Sequence, residues 1–290
     1  MKIYDCFPFY KELDLLELRF EELYDHVDHF VLVEANETHS GNPKPFYFED
    51  NKDRYAKYLD KVIHIKVDDM PHSADSWVNE GHHRDQIMKG IVDASPEDLI
   101  LISDLDEIFR PEAVEHMRNS TSDVFAIRMT LHNFKFNYLK VQPDLYSIWG
   151  MATRKKLVDA NFSPTEFRRM RFQFMNHPFQ YANYGVEVVE HGGWQFSNMG
   201  DNQWLQDKVK NFAHQEINND QFLSNIDIDA SIEARASWDR TLDDHIYEIV
   251  ELDEYFPKTV LNNKEKYKQW ILDNPVEKIL DLLPTYPYNT

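Results

Sequence analysis

Residues 97–107 read Glu97-Asp98-Leu99-Ile100-Leu101-Ile102-Ser103-Asp104-Leu105-Asp106-Glu107. The apolar run Leu99–Ile102 is short and bounded by charge, so it predicts a fully buried strand rather than a membrane span. Side chains alternate along an extended chain, so Asp104 and Asp106 can point the same way while Leu105 turns back into the core. Two carboxylates at the C-terminal end of a buried strand sit where open α/β sheets bind their ligands. Hard oxygen donors in that arrangement suit Mg²⁺ or Mn²⁺, which in turn bind a diphosphate. A bare Asp-x-Asp has little specificity, and a second copy occurs at Asp227-Ile228-Asp229. That copy follows a polar stretch and reads as a solvated turn or helix start. The buried strand before it singles out the first.

The segments around this stretch repeat a strand–helix pattern. Strands are expected at Lys2–Phe7, Val27–Ala35 and Val62–Val67, and helices at Glu12–Tyr24, Asn51–Leu59 and Asp75–Val92. Gly41, Pro43 and Pro45 make 36–45 a loop. Pro111 starts a further helix, to about Met117. The alternation predicts a largely parallel sheet with helices on both faces. Beyond Ser120, strands are expected at Val124–Phe136, Leu145–Thr153 and Val186–Phe196, interleaved with the aromatic, Arg-rich stretch Phe162–Phe179. From Asp201 onward the chain reads as mostly helical, with Tyr255–Leu272 and Pro275–Leu283 as its last elements. The expected organisation is a catalytic unit over residues 1–245 with a C-terminal helical extension over 246–290.

Composition narrows the function classes. A formal net charge of −20 over 290 residues argues against nucleic acid, whose phosphates need Lys and Arg to displace counterions. It argues equally against an anionic membrane surface. The single cysteine, Cys6, excludes an internal disulfide framework and fits a reducing compartment. Its apolar neighbours favour a buried structural thiol. No basic, apolar leader opens the sequence, and no run reaches the ~20 apolar residues of a transmembrane helix. The expectation is a soluble protein of the cytoplasm, bacterial or viral.

The eight glycines form neither a Walker loop nor Gly-x-Gly-x-x-Gly, so a diphosphate must be held by side chains and metal. Arg84 is a candidate for that task. His82 and His83 are adjacent and diverge on a helix, a poor geometry for a shared metal. In His191-Gly192-Gly193-Trp194-Gln195-Phe196-Ser197, the glycines allow close backbone approach to a ligand. Trp194 offers a face for a sugar ring, although a core tryptophan is the commoner case. Lys208, Phe212, His214 and Glu216 read as one helix, from which His214 could reach a metal or phosphate.

Taken together, these segments resemble glycosyltransferase family 17. The resemblance is carried by Tyr4-Asp5-Cys6-Phe7-Pro8-Phe9, Glu12-Leu13-Asp14-Leu15-Leu16-Glu17, Phe30-Val31-Leu32-Val33-Glu34-Ala35, Thr38-His39-Ser40-Gly41, Lys44-Pro45 and Tyr47-Phe48. It continues through Arg84-Asp85-Gln86, Ile102–Ile108, Gly193-Trp194 with Phe196-Ser197, and Leu272-Asp273-Asn274-Pro275. It implies a GT-A-type, Rossmann-like mixed sheet, a UDP-sugar donor (UDP-N-acetylglucosamine by analogy), a glycan or glycolipid acceptor and inversion at the anomeric carbon. Asp104 and Asp106 match the family's Asp-x-Asp, holding Mn²⁺ or Mg²⁺ against the donor diphosphate. Glu34, Arg84, Asp104, Trp194 and Lys208 form the candidate donor-binding set. Glu190, Asp201 and Glu216 are candidates for the base that deprotonates the acceptor.

One position departs from the family pattern, in which His follows Gly-Trp. Here Gln195 stands in that place, a weaker and harder ligand than imidazole. His191 or His214 then completes the metal site, or fewer protein groups hold it. Two rivals stay open. A metal-dependent nucleotidyltransferase needs the same carboxylates but should show a basic or Gly-rich loop near Lys2–Tyr10. A non-catalytic sugar- or nucleotide-sugar-binding protein could keep the fold without the reaction.

Overall fold

The computed structural model describes residues 1–176, 185–238 and 244–282. Parts of two expected segments, His177–Phe179 and Leu283, lie outside the described residues, as does the end of the expected extension.

The described residues form one mixed α/β sheet. Its strands are β1 (Ile3–Phe9), β2 (His29–Ala35), β3 (Val62–Val67), β4 (Leu99–Ile102), β5 (Glu107–Phe109), β6 (Val124–Asn133), β7 (Tyr138–Gln142), β8 (Tyr146–Arg154), β9 (Val186–Ser197), β10 (Ile246–Glu251) and β11 (Glu277–Lys278). The spatial order is β11-β10-β7-β6-β8-β4-β1-β2-β3, with β9 pairing both β5 and β6. Strands β4, β1, β2 and β3 run parallel, and β8 joins β4 antiparallel.

The parallel half is built from strands that are apolar on both faces. Ile3, Phe7, Phe9, Phe30, Leu32, Leu99 and Leu101 face one core, packed under helix Leu13–Leu23. Tyr4, Cys6, Val31, Val33, Ile100 and Ile102 face the other, under the helices that end near Ile91. Two apolar faces need two helical layers, the requirement that makes such strands near-continuous hydrophobic runs. Cys6 is fully buried in the second core.

Two fully buried acids, Asp5 and Glu34, interrupt this pattern. Asp5 in β1 is completely buried and is met by the equally buried Arg19 of helix Leu13–Leu23. Arg19 Nε donates to Asp5 Oδ2 at 2.7 Å. The same guanidinium donates to the carbonyl oxygens of Asp104 (2.8 Å), Leu105 (3.1 Å) and Glu107 (3.0 Å) and to Ser103 Oγ (2.7 Å). The turn after β4 is therefore shaped from beneath by a cation in the core.

Several elements differ from expectation. The helix expected over Asp75–Val92 is two pieces, Ser76–Asp85 and Ile87–Gly90. The second lies so close to β2 that a Cβ on Gly90 would fall 2.3 Å from Val31 Cγ1. Strand β5 has only three residues and exists by pairing β9. The segment expected as a helical extension contributes β10, which pairs antiparallel with β7, besides the helical turns Lys258–Asn262 and Lys264–Tyr267. Helix Asn202–Asn211 ends before His214, and Glu216 lies in a separate 3-10 turn. No described helix is long and apolar enough to cross a membrane.

The Arg19–Asp5 pair generates a prediction. Removing one member strands the other as an uncompensated buried charge, which typically costs about 3–5 kcal/mol. Arg19→Met should lower stability by that order in urea unfolding, and far more than Arg54→Met at the surface. Equal, small effects for both would show that the pair does not organise the core.

Candidate functional site

At the C-terminal ends of β1 and β4, where the chain order of the parallel strands reverses, a cavity of about 280 Å³ opens. Such switch points are the ligand crevices of α/β sheets. Phe9 and Tyr10 line it from β1, Asp104–Asp106 from the turn after β4, Arg84 from helix Ser76–Asp85, and Lys208 from helix Asn202–Asn211.

The two aspartates have different surroundings. Asp104 Oδ1 accepts from Arg84 Nη1 at 2.8 Å, and its Oδ2 pairs with Arg168. The backbone N–H of Asp104 donates to Glu107 Oε2 at 2.7 Å. The guanidinium groups of Arg168, Arg84 and Arg171 outweigh desolvation and hold the Asp104 carboxyl well below the usual range. The Asp106 side chain has no hydrogen bond or ion pair among the described residues. Burial, with the nearby charges of Glu107 and Asp104, pushes its carboxyl up to about 7, against an opposing pull from Lys208.

Cations surround this acidic turn. Arg168 bridges Asp104 and Glu107, the latter at 2.7 Å, and Arg171 reaches Glu107 at 3.4 Å and the Trp149 carbonyl at 3.2 Å. Arg171 Nε is buried without a partner among the described residues, and burial beside Arg168 lowers its basicity to about 10. Lys44, on the opposite wall, is lowered to about 8 by burial. Lys44, Arg84, Arg171 and Lys208 line the cavity among its acids, so its wall offers guanidinium and ammonium donors to an anionic group.

His39 and His83 form a fixed pair at the same wall. His83 Nε2 donates to the Val33 carbonyl at 3.0 Å, so its Nδ1 accepts from His39 Nε2 at 3.2 Å. Both rings are held neutral by burial, His39 with its basicity lowered to about 4. Trp77 closes the rim, 41% exposed and edge-on to His214 with centroids 4.5 Å apart.

The structure sorts the residues singled out from sequence. Asp104, Asp106, Arg84, Lys208 and His214 all line the cavity. Lys208 Nζ donates to Asn198 Oδ1 at 3.1 Å. His214 Nδ1 pairs with Glu216, which is exposed. Glu34 is fully buried beneath, accepting the Phe48 N–H at 2.9 Å and meeting His64 at 3.1 Å. Trp194 is a core residue, 1% exposed, with Nε1 donating to the Tyr255 carbonyl at 3.0 Å; it has no face left for a sugar. His191 is buried against Tyr146, at 2.6 Å from its hydroxyl, and does not line the cavity. Glu190 pairs with Arg128 at 3.1 Å. Asp201 caps helix Asn202–Asn211, accepting the Trp204 N–H at 2.7 Å.

The paired glycines also serve packing rather than a ligand. Strand β9 carries a bulge between Val189 and Gly193 where it pairs β6, with His191 at φ 50°. A Cβ on Gly192 would sit 2.4 Å from Ile127 Cγ2, and one on Gly193 2.4 Å from the Ile108 carbonyl. Arg168 and Arg171 had no assigned role in the sequence; their signal was an arginine-rich run in a strongly acidic chain. Arg19 and Glu107 were missed because their partners are distant in sequence.

Whether these residues fit a divalent cation turns on Asp106 and Gln195. Asp106 offers a carboxylate without a partner among the described residues, and Gln195 Oε1 is buried without a hydrogen bond there. Gln195 stands in register opposite Glu107, and the next residue, Phe196, donates its N–H to the Asp106 carbonyl at 2.8 Å. Oxygen donors of this kind suit Mg²⁺ or Mn²⁺. Among the described residues no group of three or more His, Cys, Asp or Glu could hold a metal, and of these two oxygen donors only Asp106 lines the cavity.

Comparison with known proteins agrees with the motif reading. The model of Glycosyltransferase family 17 matches residues 1–151. The chain belongs to glycosyltransferase family 17. The human and rat beta-1,4-mannosyl-glycoprotein 4-beta-N-acetylglucosaminyltransferases are each 27% identical over 182 residues, 59% of this chain. The match spans about a third of the length of those relatives, 34%. Among solved structures, a mannosyltransferase from Pyrobaculum calidifontis in complex with GDP-Man and Mn²⁺ covers 72% of this chain and 61% of its own, at 11% identity and a TM-score of 0.42. The inositol-1-phosphate CTP transferase from T. maritima covers 66% and 85%, at 14% and 0.36. Both superpose too loosely to bear on the chemistry of this family 17 chain.

The raised Asp106 carboxyl has a testable sign. Between about pH 4 and pH 7 the folded state keeps a proton that the unfolded state releases, so this group's contribution to stability is lost as pH rises through about 7. In metal-free buffer Asp106→Asn should match wild type near pH 4 and melt higher at pH 8, by roughly 2–4 °C for each kcal/mol relieved. A melting difference independent of pH would refute the raised titration.

Proposed function

We propose that this chain is an inverting glycosyltransferase of GT-A type that transfers a sugar, N-acetylglucosamine by analogy with its relatives, from a UDP-sugar to a hydroxyl of a glycan or glycolipid. The observation that carries the reading is the gathering of Asp104, Asp106, Arg84, Arg171 and Lys208 around one cavity at the sheet's switch point, with Arg168 paired to Asp104. Family membership supports the reaction class, and the donor and the linkage belong to the proposal.

The residues divide the work as follows. Arg84, Arg171 and Lys208 offer fixed donors to a diphosphate, whose negative charge grows as the bond to the sugar breaks. Asp104, already bound by Arg84 and Arg168, keeps Arg84 in place at the cavity wall before donor arrives. Phe9, Tyr10 and Trp77 supply apolar surface for the nucleoside or sugar. A divalent cation, when bound, supplies Lewis-acid stabilisation of the leaving diphosphate; Asp106, which lines the cavity, would hold it. Ionised Asp106 is then the state that serves, and cation binding should draw its titration down from about 7.

A donor screen tests the reading: UDP, GDP and CMP release across a panel of sugar nucleotides, with Mn²⁺, Mg²⁺ or EDTA. UDP release should exceed the others and fall in EDTA. Asp106→Asn should cut metal-supported UDP release by at least tenfold, whereas Arg171→Ala should raise donor KM more than it lowers kcat. Undiminished turnover in Asp106→Asn would remove that residue from the reaction. Donor binding indifferent to metal, with no UDP release, would favour the non-catalytic binding protein.

A further inference from the structure

A second cavity, of about 360 Å³, opens beside the first and is lined by Asp14, Arg54, Asp201, Trp204 and Trp270 among others. Glu12 lines both cavities. We propose that the second cavity is the subsite for a sugar residue of the acceptor, and that Glu12, on the shared wall, is the base that takes the proton from its attacking hydroxyl. The proposal rests on the transferase reading for the role of Glu12, whereas the saccharide subsite stands on the cavity itself.

The lining has the chemistry of a saccharide site: half-exposed indoles for the apolar face of a pyranose, with carboxylates and a guanidinium for its hydroxyls. The Trp204 ring is kept in place by backbone laid flat against it, because a Cβ on Gly200 would fall 2.5 Å from its ring carbons. Trp270 is anchored through its carbonyl, which accepts the Phe136 N–H at 2.8 Å, and Lys135 Nζ sits 5.3 Å from its ring centroid. Asp14 and Glu17 hold Arg54 at the rim. Asp14, Arg54 and Trp270 do not line the donor cavity, whereas the Trp204 ring is shared with it through Lys208 Nζ, 5.4 Å from the ring centroid.

Glu12 is placed at the junction by the fold. It is the last residue before helix Leu13–Leu23, the helix that carries Arg19. Its Oε2 accepts the Lys11 N–H at 3.0 Å, which leaves Oε1 for an incoming hydroxyl. Its charge is felt at Asp106, so the carboxylate stands within electrostatic reach of the donor-side acids. By contrast Glu190 and Glu216 line neither cavity, and Asp201 lines only the second and is bound to a helix N-terminus. In the step proposed, the acceptor O–H proton passes to Glu12 as the new C1–O bond forms. The bond from C1 to the diphosphate oxygen breaks, and its electron pair leaves with UDP.

The test uses the full chain with two separate probes. Saturation-transfer NMR with methyl α-mannoside, methyl β-galactoside and methyl β-N-acetylglucosaminide reads the second cavity, and calorimetry with UDP reads the first. At least one glycoside should respond, Trp270→Ala should abolish that response, Trp270→Phe should restore it, and UDP affinity should stay within twofold throughout. If Trp270→Ala loses its melting transition, Asp14→Ala serves in its place. Glu12→Gln should keep both binding signals and lower kcat for transfer to the responding glycoside by about 10²–10⁴-fold, with KM shifted less than about threefold. No glycoside response in wild type, or an equal one in the Trp270 and Asp14 variants, would overturn the subsite. Wild-type kcat in Glu12→Gln would overturn the base. Glycoside binding without UDP binding would overturn the transferase reading and the role of Glu12, leaving the saccharide subsite intact.

Discussion

The buried contact between Arg19 and Asp5 is the constraint on which the rest of the site depends. A carboxylate in the middle of a core strand is costly unless it is paired and its lone pairs are filled. Arg19 fills them and has donors left over, which it directs at three carbonyls and a hydroxyl of residues 103–107. A turn would ordinarily leave such carbonyls to water. Here they are fixed to a helix and a strand at once, so the acidic side chains of the turn leave a backbone that cannot drift. Preorganisation of this kind is what a site must have before its side chains can act on developing charge.

Above that turn, the site is an exercise in local charge balance within a chain of net charge −20. Asp104 and Glu107 are compensated by Arg84, Arg168 and Arg171. Asp106, two residues away, is not. The same Asp-x-Asp therefore contains one carboxylate held strongly ionised and one raised to about 7. Their surroundings differ because the arginines reach the first and not the second. Gln195 adds a buried oxygen without a partner among the described residues, on the strand that pairs the turn, at the position where the family resemblance leads one to look for histidine.

Much of this was legible in the sequence because it is local. The run Leu99–Ile102 and its acidic sequel predicted a buried strand ending in an acidic turn, since periodicity and abrupt polarity change are short-range signals. Val62–Val67 and the apolar runs of β1 and β2 were legible for the same reason. Arg84, Lys208 and His214, singled out in the sequence, line the same cavity. Trp194 and Glu34 were misread because a large aromatic or an acid in a motif looks the same whether it faces a ligand or the core. Only their partners, the Tyr255 carbonyl and the Phe48 N–H, distinguish the two. Strands β5, β7 and β10 were missed because they form by pairing with remote segments rather than by their own pattern.

By itself, then, the sequence determined the α/β class, the parallel half of the sheet and the acidic turn at its edge, because each follows from the hydrophobic period and charge of neighbouring residues. The tertiary structure alone decided which charges meet. Arg19 with Asp5, Arg168 with Asp104, and Glu12 between two cavities are contacts across tens of residues or between separate elements. Their energies depend on burial and on distance in space, and neither quantity is written in the order of the residues.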